Sequence, residues 1–172
     1  MRHALSSLQS NMHSYSDEET RQWFTSLEHR VSSATVALRT VDGKVLVLKA
    51  TYKDYWSFPG GIIDTRETPR AAAVRECLEE VNIQLSEDEL EFVMVVDRVS
   101  EYAHTYQFVF QATVAAEVLE GAKIDKREIE MFDVVMADMI VAGNRHYSQT
   151  TLAWARGERG YREQVFGAGA RE

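Results

Sequence analysis

The sequence predicts one α/β domain, an α/β/α sandwich built around a mixed β-sheet. Short runs of β-branched and aromatic residues alternate with segments of helical periodicity, which is typical of strands and helices packed in layers. Asp42-Gly43 separates two such runs and is a strong signal for a β-hairpin, so at least one strand pair is antiparallel. A chain of 172 residues with 45% hydrophobic residues has the size of one domain.

Residues 1–30 are expected to form an N-terminal extension that contains a helix. Ser16 and Glu19 have the spacing of a capping box, in which each side chain binds a free backbone N–H of the first helical turn. Apolar residues follow at helical spacing and predict a helix over about 17–29: Trp23, Phe24 and Leu27. This helix is expected to pack on the domain or on a second subunit, and both a homodimer and a monomer stay open.

The domain itself is expected over residues 31–157, followed by a C-terminal tail over 158–172. Six runs are predicted strands: 35–38, 45–48, 55–58, 91–99, 106–114 and 128–135. Thr68 and Pro69 predict the start of a helix over 69–81, and Asn82 predicts its left-handed end. The residues expected on its buried face are Ala72, Val74, Cys77, Leu78 and Val81. A last helix is predicted around 152–154.

Charge and composition exclude several classes of protein. The formal net charge of -8 argues against a protein that binds long nucleic acid electrostatically. The single cysteine, Cys77, rules out an intrachain disulfide and is typical of a reducing compartment. No apolar run approaches the ~18 residues of a membrane span, and the first residues lack the apolar core of a secretion signal. A cytoplasmic protein with no membrane partner is the expectation.

Three glutamates on the predicted helix over 69–81 are the strongest chemical signal. With about 100° of rotation per residue, Glu80 lies about 40° to one side of Glu76 and Glu79 about 60° to the other. Such close like charges repel one another, more so when partly buried, unless a cation compensates. Mg²⁺ prefers oxygen ligands and binds carboxylates together with substrate phosphates. The pattern therefore indicates either a solvated acidic face or a divalent-cation site for phosphate chemistry.

A longer string of residues favours the cation site. Gly61, Glu67 and Arg75 precede the glutamates, with five and then seven residues between them, and a chance match at all these positions is improbable for this composition. Residues 61–83 resemble the Nudix box, GX5EX7REUXEEXGU, where U is a bulky apolar residue. The preceding Trp-Ser-Phe-Pro-Gly, residues 56–60, resembles the lead-in to that box. The flanking strands are similar to the Nudix domain and imply a Nudix-like α/β/α sandwich.

Two residues depart from the pattern of the box. Asn82 stands where the box has glycine, and asparagine tolerates a left-handed backbone better than most residues. Cys77 occupies an apolar position, where a buried cysteine acts as a small hydrophobic residue. Neither departure removes a charged group.

The resemblance implies a role for each charged residue of the box. Glu76 and Glu80 are expected to bind the metal, and Glu79 is expected to be a further ligand or the base that orients water. Glu67 and Arg75 are expected to form an ion pair that positions these glutamates. The implied catalytic residues are therefore Glu79, Glu76, Arg75 and Glu67.

Other residues are implied to complete the site. The carbonyl of Gly60 is expected to add a metal ligand, and Gly61 is expected to let the backbone approach the substrate closely. Glu128 is expected to join the metal ligands from a later strand, and a solvated strand end is the alternative. The aromatic residues expected to bind the substrate are Trp56, Tyr55 and Tyr102, with ordinary packing as the alternative. His104 is a candidate acid or base, or an exposed turn residue.

The resemblance implies hydrolysis of a diphosphate linkage in a small nucleotide, assisted by Mg²⁺ or Mn²⁺. A nucleotide-sensing module with the same fold and no turnover is one alternative. An isomerase acting on a prenyl diphosphate is another, and it needs a protonating cysteine–glutamate pair outside the box. The choice between nucleoside triphosphates and nucleoside diphosphate derivatives stays open.

Overall fold

The structure, a computed structural model, describes residues 15–166. In that range the strands are β1 (Ser32–Arg39), β2 (Lys44–Ala50), β3 (Gly60–Ile62), β4 (Glu91–Val99), β5 (His104–Thr113), β6 (Ile129–Met136) and β7 (Gly160–Val165). The α-helices are α1 (Asp17–Ser26), α2 (Pro69–Val81), α3 (Ala116–Glu120), α4 (Ala137–Val141) and α5 (Gln149–Ala155). Across residues 15–166, no helix has the length and apolar character that crossing a bilayer requires.

The strands form one mixed sheet, which confirms the predicted fold class. Its order is β6-β2-β1-β5-β4-β7, and β3 pairs with β1 outside that path. β1 is parallel to β5 and β4 is parallel to β7, whereas the pairs β1–β2, β2–β6 and β4–β5 are antiparallel. The parallel neighbours are not consecutive in the chain, because a parallel pair needs a long crossover connection that a hairpin cannot supply.

Alternate side chains of the strands build a core on each face of the sheet. On one face, α2 packs against β1 and β5, and its Cys77 and Val81 join Leu38 and Phe110 in the core. On the other face, α4 and α5 contribute to a second core that includes Val109 of β5. The two cores make the layered sandwich that the sequence predicts.

β1 and β2 diverge beyond their hairpin, and this divergence positions the candidate site. The two strands pair beside the turn, at Arg39 and Val45. Farther from the turn, residues 57–60 lie between them, because Ser57 exchanges backbone hydrogen bonds with β2 and the Pro59 carbonyl accepts one from β1. The chain then continues into β3, which pairs with the beginning of β1. Residues 57–60 therefore fill an opening in the middle of the sheet.

Local predictions from the sequence are largely confirmed, and two are wrong. The helix over 69–81 is confirmed as α2, and Ser16 and Glu19 form the predicted capping box of α1. Leu78, expected in the core, is 47% exposed because the sheet covers a neighbouring face of α2. Residues 55–58 are not a strand, since only Trp56 and Ser57 form isolated bridges there. β7 lies in the segment assigned from the sequence to a C-terminal tail.

Gly60 has no room for a side chain, which gives a stability prediction. Its φ is 150°, and a Cβ atom would lie 2.2 Å from the Ala34 carbonyl oxygen. Gly60→Ala is expected to lower the free energy of unfolding by about 3 kcal/mol, measured by urea denaturation. Gly143→Ala is the control, because φ is also positive there, at 70°, but a Cβ would meet no atom within 4 Å. Equal costs at the two positions would contradict the predicted clash.

Candidate active site

α2 presents its glutamates beside the opening between β1 and β2. The helix begins after Thr68, whose hydroxyl accepts a hydrogen bond of 3.1 Å from a backbone N–H of the first turn. Pro69 occupies the first helical position, where no N–H is needed. The helix ends at Asn82, which has a left-handed conformation with φ of 54°. These local signals set the register that brings Glu76 and Glu80 towards β3.

Arg75 joins α2 to the loop that precedes it. Its guanidinium donates two hydrogen bonds of 2.9 Å to the Glu67 carboxylate. It also donates to Glu76 at 2.8 Å, to Glu79 at 3.1 Å and to the Ile62 carbonyl at 3.0 Å. The hydrogen bonds from Arg75 lower the pKa of Glu67 to about 2. The ion pair expected from the sequence is therefore present, and Arg75 also holds two of the helix glutamates.

Glu80 is the most deeply buried carboxylate of this group. Glu80 is only 5% exposed, and its Oε2 accepts a hydrogen bond of 2.7 Å from Gly60 N. Burial raises the pKa of Glu80 to about 7, although the Gly60 N–H favours the charged form. The charges of Glu76 and Glu128 raise this pKa further, and that of Lys53 lowers it. Glu80 therefore exchanges a proton near neutral pH.

Glu76 is enclosed between Arg75 and the backbone of Gly61. Burial raises the pKa of Glu76, and the Arg75 guanidinium partly opposes this effect. A Cβ atom on Gly61 would lie 2.4 Å from Glu76 Oε1. Gly61 thus allows the backbone to pack directly against the carboxylate, as a larger residue would not.

Glu128 approaches this group from a different part of the sheet. It immediately precedes β6, and its carbonyl accepts a hydrogen bond of 2.8 Å from Thr51 N. The register of β2 and β6 shifts between Lys49 and Ala50, as at a β-bulge, which redirects the chain at the edge of the site. The charge of Glu128 raises the pKa of both Glu76 and Glu80, so the three carboxylates lie within electrostatic reach of one another.

The chemistry of these donors fits a hard divalent cation. Neighbouring carboxylates in a partly buried site are stabilised by a nearby positive charge. No three His, Cys, Asp or Glu side chains converge on a single ion position anywhere in residues 15–166, and Arg75 and the Gly60 N–H hold carboxylate oxygens instead. The groups that would hold a cation are the carboxylates of Glu76, Glu80 and Glu128, with the Gly60 carbonyl as a further oxygen donor.

Glu79 lies at the outer side of this group. Its side chain is 58% exposed and contacts Arg75. The three helix glutamates therefore differ in environment: Glu80 is turned inward to Gly60, Glu76 is enclosed, and Glu79 faces solvent.

The aromatic residues predicted to bind substrate do not form one surface. Tyr55 lines a small cavity beside Gly60. Trp56 is covered by the Arg145 guanidinium, which lies 4.6 Å from its ring centroid. Tyr102 is 86% exposed in the turn between β4 and β5. The structure thus brings only Tyr55 next to Gly60.

Two further candidates from the sequence have other surroundings. His104 Nε2 lies 2.5 Å from the Asp97 carboxylate, across the β4–β5 pair. Cys77 is fully buried in the core, and burial raises the pKa of its thiol to about 12. A buried, protonated thiol within the box does not supply the cysteine–glutamate pair that the isomerase alternative requires.

Sequence reasoning missed a polar cavity of about 40 Å³ beside Gly60. Its lining residues are Thr35, Lys53, Tyr55, Ser57, Phe58, Gly60, Arg98, Gln107 and Ser148. The signal that could have found it lies in β5, where Gln107 and Gln111 share a face with Val109. Polar residues on a strand face that packs against a helix indicate a buried polar contact or a ligand pocket.

Comparison with known proteins gives the relationships of the chain. Residues 28–153, most of the sequence, match the family model of the NUDIX domain. The chain is 39% identical over 62 residues to a MutT-like protein of Streptomyces ambofaciens. It is 46% identical over 57 residues to Nucleoside diphosphate-linked moiety X motif 6 of Xenopus laevis. These segments cover 36% and 32% of this chain, and they span only 40% and 26% of the two relatives.

The architecture is also that of a solved structure, a MutT NUDIX hydrolase from Burkholderia pseudomallei. The TM-score is 0.63 at 20% sequence identity, and the match covers 76% of this chain and 98% of that one. At this level of identity the likeness concerns the fold. The match to the NUDIX domain spans the box at residues 61–83 as well as the strands that position it. Sequence and fold agree, and the chain belongs to the Nudix family.

Proposed function

We propose that this protein is a Nudix pyrophosphohydrolase that cleaves the phosphoanhydride bond of a small nucleotide. The substrate is a nucleoside diphosphate linked to a group X or a nucleoside triphosphate. The observation that carries the proposal is the buried Glu80 at Gly60, electrostatically coupled to Glu76 and Glu128. The names of the two relatives, one MutT-like and one a nucleoside diphosphate-linked moiety X protein, support the same class of substrate.

The proposed roles follow from the surroundings of each carboxylate. Glu76, Glu80 and Glu128, with the Gly60 carbonyl, would hold Mg²⁺ or Mn²⁺. When bound, such an ion neutralises phosphate oxygens and lowers the pKa of coordinated water. Glu79 is our choice for the general base, because its exposed carboxylate is accessible to water at the edge of the site.

The proposed reaction is hydrolysis at one phosphorus of the linkage. The oxygen of water forms a bond to phosphorus while the bond from that phosphorus to the bridging oxygen breaks. The bridging oxygen leaves with the electron pair on the other phosphate, and the glutamate accepts the proton of the water. The products are a nucleoside monophosphate and either pyrophosphate or a phosphorylated X.

A product analysis tests the proposed activity. The full chain is incubated with Mg²⁺ or Mn²⁺ and a panel of nucleoside triphosphates and nucleoside diphosphate derivatives in ¹⁸O-labelled water. We expect a nucleoside monophosphate among the products and one labelled oxygen per bond cleaved, detected by mass spectrometry. Nucleotide binding with no cleavage under any of these conditions would overturn the enzyme and favour the nucleotide-sensing module.

We also propose that the chain forms a homodimer through α1. The helix has no buried residue, and Trp23 and Phe24 are 59% and 56% exposed. Exposed apolar surface of this kind is typical of interaction sites. In sedimentation, the full chain is expected to have twice the mass of its single 19.6 kDa chain. A chain lacking residues 1–30, and the full chain with Trp23→Ser and Phe24→Ser, are expected to sediment as monomers. A full chain that sediments as a monomer at about 100 μM would contradict the proposal, because specific complexes commonly have Kd values far below that.

A further inference from the structure

The polar cavity beside Gly60, which we call the Arg98 cavity, has two cationic side chains in its lining. Lys53 and Arg98 both contribute to the wall, and the wall contains no carboxylate among the residues of the described range. Lys53 is close enough to Glu80 for its charge to lower the pKa of that carboxyl group. Gly60 lines the cavity and also binds Glu80 through its N–H. The cavity is therefore contiguous with the cluster of carboxylates in the candidate active site.

Arg98 of β4 is held in place by residues from two other elements. Its Nη2 donates to Gln107 Oε1 of β5 at 2.5 Å and to Thr150 Oγ1 of α5 at 2.7 Å. The Thr150 hydroxyl in turn donates to Gln107 Oε1 at 2.8 Å. These hydrogen bonds restrict the motion of the guanidinium. A restricted, planar guanidinium binds an anion in a defined geometry. The surrounding side chains thus orient the positive charge at the cavity.

The cavity also contains a donor that has no acceptor. Ser57 Oγ is buried, and no hydrogen-bond partner for it lies within residues 15–166. Buried polar groups in folded proteins usually have a partner, so such a hydroxyl indicates a ligand or water position. Ser57 belongs to the segment between β1 and β2, next to the active-site opening.

The size of the cavity limits the group that it can bind. Its volume of about 40 Å³ is roughly three times the ~10–15 Å³ of cavity space that one water molecule requires. Pockets for whole small molecules have ~300–1,000 Å³. A nucleobase or a hexose does not fit, whereas a compact anionic group can place its oxygen atoms against Arg98, Lys53 and Ser57.

We propose that the Arg98 cavity binds a phosphoryl group that lies beyond the two phosphates of the cleaved linkage. This inference rests on the proposed function, because it assigns the substrate of the same site. It selects substrates with a further phosphoryl group: a nucleoside triphosphate, or a nucleoside diphosphate joined to an X that is itself phosphorylated. Nucleoside diphosphate hexoses lack this group.

A substitution that removes the guanidinium tests the substrate assignment. Values of kcat/KM are measured for wild type and Arg98→Gln with a nucleoside triphosphate, a dinucleoside tetraphosphate and a nucleoside diphosphate hexose of the same base. For the best phosphate-rich substrate, Arg98→Gln is expected to lower kcat/KM roughly 10- to 100-fold, as expected for losing a hydrogen bond to a charged group. For the hexose derivative the change is expected to stay below about threefold. The substrate with the larger loss of kcat/KM, the nucleoside triphosphate or the dinucleoside tetraphosphate, is the one whose phosphoryl group the cavity binds.

Two further variants separate binding from folding. Arg162→Gln is the matched control, because this arginine lies on the adjacent strand β7, is half-buried like Arg98 and is absent from the cavity wall. It is expected to leave all three kcat/KM values unchanged. Lys53→Gln removes the other positive charge of the cavity, at a loop position. If Arg98→Gln does not fold, Lys53→Gln takes its place and is expected to show the same selective loss of kcat/KM.

Calorimetric titration with inorganic pyrophosphate distinguishes a failed subsite from a failed enzyme. If wild type cleaves none of the substrates, the proposed function fails. The subsite is still supported in that case if wild type binds pyrophosphate at least tenfold more tightly than Arg98→Gln or Lys53→Gln does. An equal loss of kcat/KM for all three substrates, no loss for any, or pyrophosphate binding that both variants leave unchanged would overturn the subsite.

Discussion

Glu80→Gln is expected to abolish most of the hydrolysis and, at the same time, to stabilise the folded protein. The substitution keeps the size of the side chain but removes the negative charge that the proposed cation site needs. We expect kcat to fall by about 10²- to 10⁴-fold, the range seen when a group acting on the reacting atoms is removed. Product formation under saturating Mg²⁺ is the measurement. A variant with more than about a tenth of wild-type kcat would contradict the role of Glu80.

The stabilising effect of Glu80→Gln has a definite dependence on pH. The pKa of Glu80 rises from 4.5 to about 7 on folding. Between these values the folded state binds more protons than the unfolded state, so the stability of the metal-free protein falls as pH rises through this range. A shift of this size corresponds to roughly 3 kcal/mol above pH 7, and the effect is absent below about pH 4.5. Glu80→Gln is expected to lack this loss.

Urea denaturation of the metal-free protein at pH 5 and at pH 8 measures the effect. The free energy of unfolding is expected to change less between pH 5 and pH 8 in Glu80→Gln than in wild type. Mg²⁺ is expected to raise the stability of wild type at pH 8, because it binds the native carboxylates, and to have little effect on Glu80→Gln. Glu101→Gln, at an exposed carboxylate in the turn after β4, is the control and is expected to behave as wild type. An identical pH dependence in Glu80→Gln and wild type would contradict the role of burial.

Arg75→Met is expected to reduce both stability and activity. The guanidinium binds three carboxylates and a backbone carbonyl, and its removal leaves Glu67 and Glu76 partly buried without their cation. Because these side chains are only 15% and 12% exposed, the free energy of unfolding at pH 7 is expected to fall by about 2 kcal/mol, somewhat less than for a fully buried pair. Activity is expected to fall at least about tenfold, since Glu76 loses its orientation.

The pH dependence of this loss has the opposite direction to that of Glu80. The pKa of Glu67 is lowered to about 2 in the folded state, so its stabilising contribution is complete above the unfolded pKa of 4.5. It disappears as the pH falls from 4.5 towards 2. The stability difference between wild type and Arg75→Met is therefore expected to narrow at low pH.

A surface ion pair is the control for Arg75→Met. Arg127 pairs with Asp125, and the arginine side chain is 86% exposed. Exposed pairs of this kind contribute between about 0 and 1 kcal/mol. Arg127→Met is therefore expected to change stability little, and equal losses in the two variants would show that the network around Arg75 has no special contribution.

Structures that depend on neighbouring residues could be predicted from the sequence. α2 begins at Pro69 and ends at Val81 as predicted, because Thr68, Pro69 and Asn82 act on the backbone within one turn. The hairpin of β1 and β2 follows in the same way from its Asp-Gly turn. The resemblance to the Nudix box also implied the pairing of Glu67 with Arg75, which the structure contains.

The separate environments of the helix glutamates could not be read from helical periodicity. By hydrophobicity, Leu78 belongs inside and Glu80 outside, but Leu78 is 47% exposed and Glu80 is 5% exposed. The reason is the opening between β1 and β2, where the Gly60 N–H offers a charged side chain a hydrogen bond. A hydrogen-bond donor from another segment lowers the free-energy cost of burying a carboxylate. The residue pattern of one helix contains no information about such a donor.

By itself, the sequence determined the layered fold, the extent of α2 and the family, because each of these follows from short-range spacing of residues. Only the tertiary structure decided which glutamate is buried, that Arg145 covers Trp56, and that Lys53, Arg98 and Gln107 meet beside Gly60. Lys53 comes from a loop, Arg98 and Gln107 from two strands, and Gly60 from the segment that leads into the box. Their proximity depends on how the strands pair across the sheet, and strand pairing is set by long-range contacts that no local segment encodes.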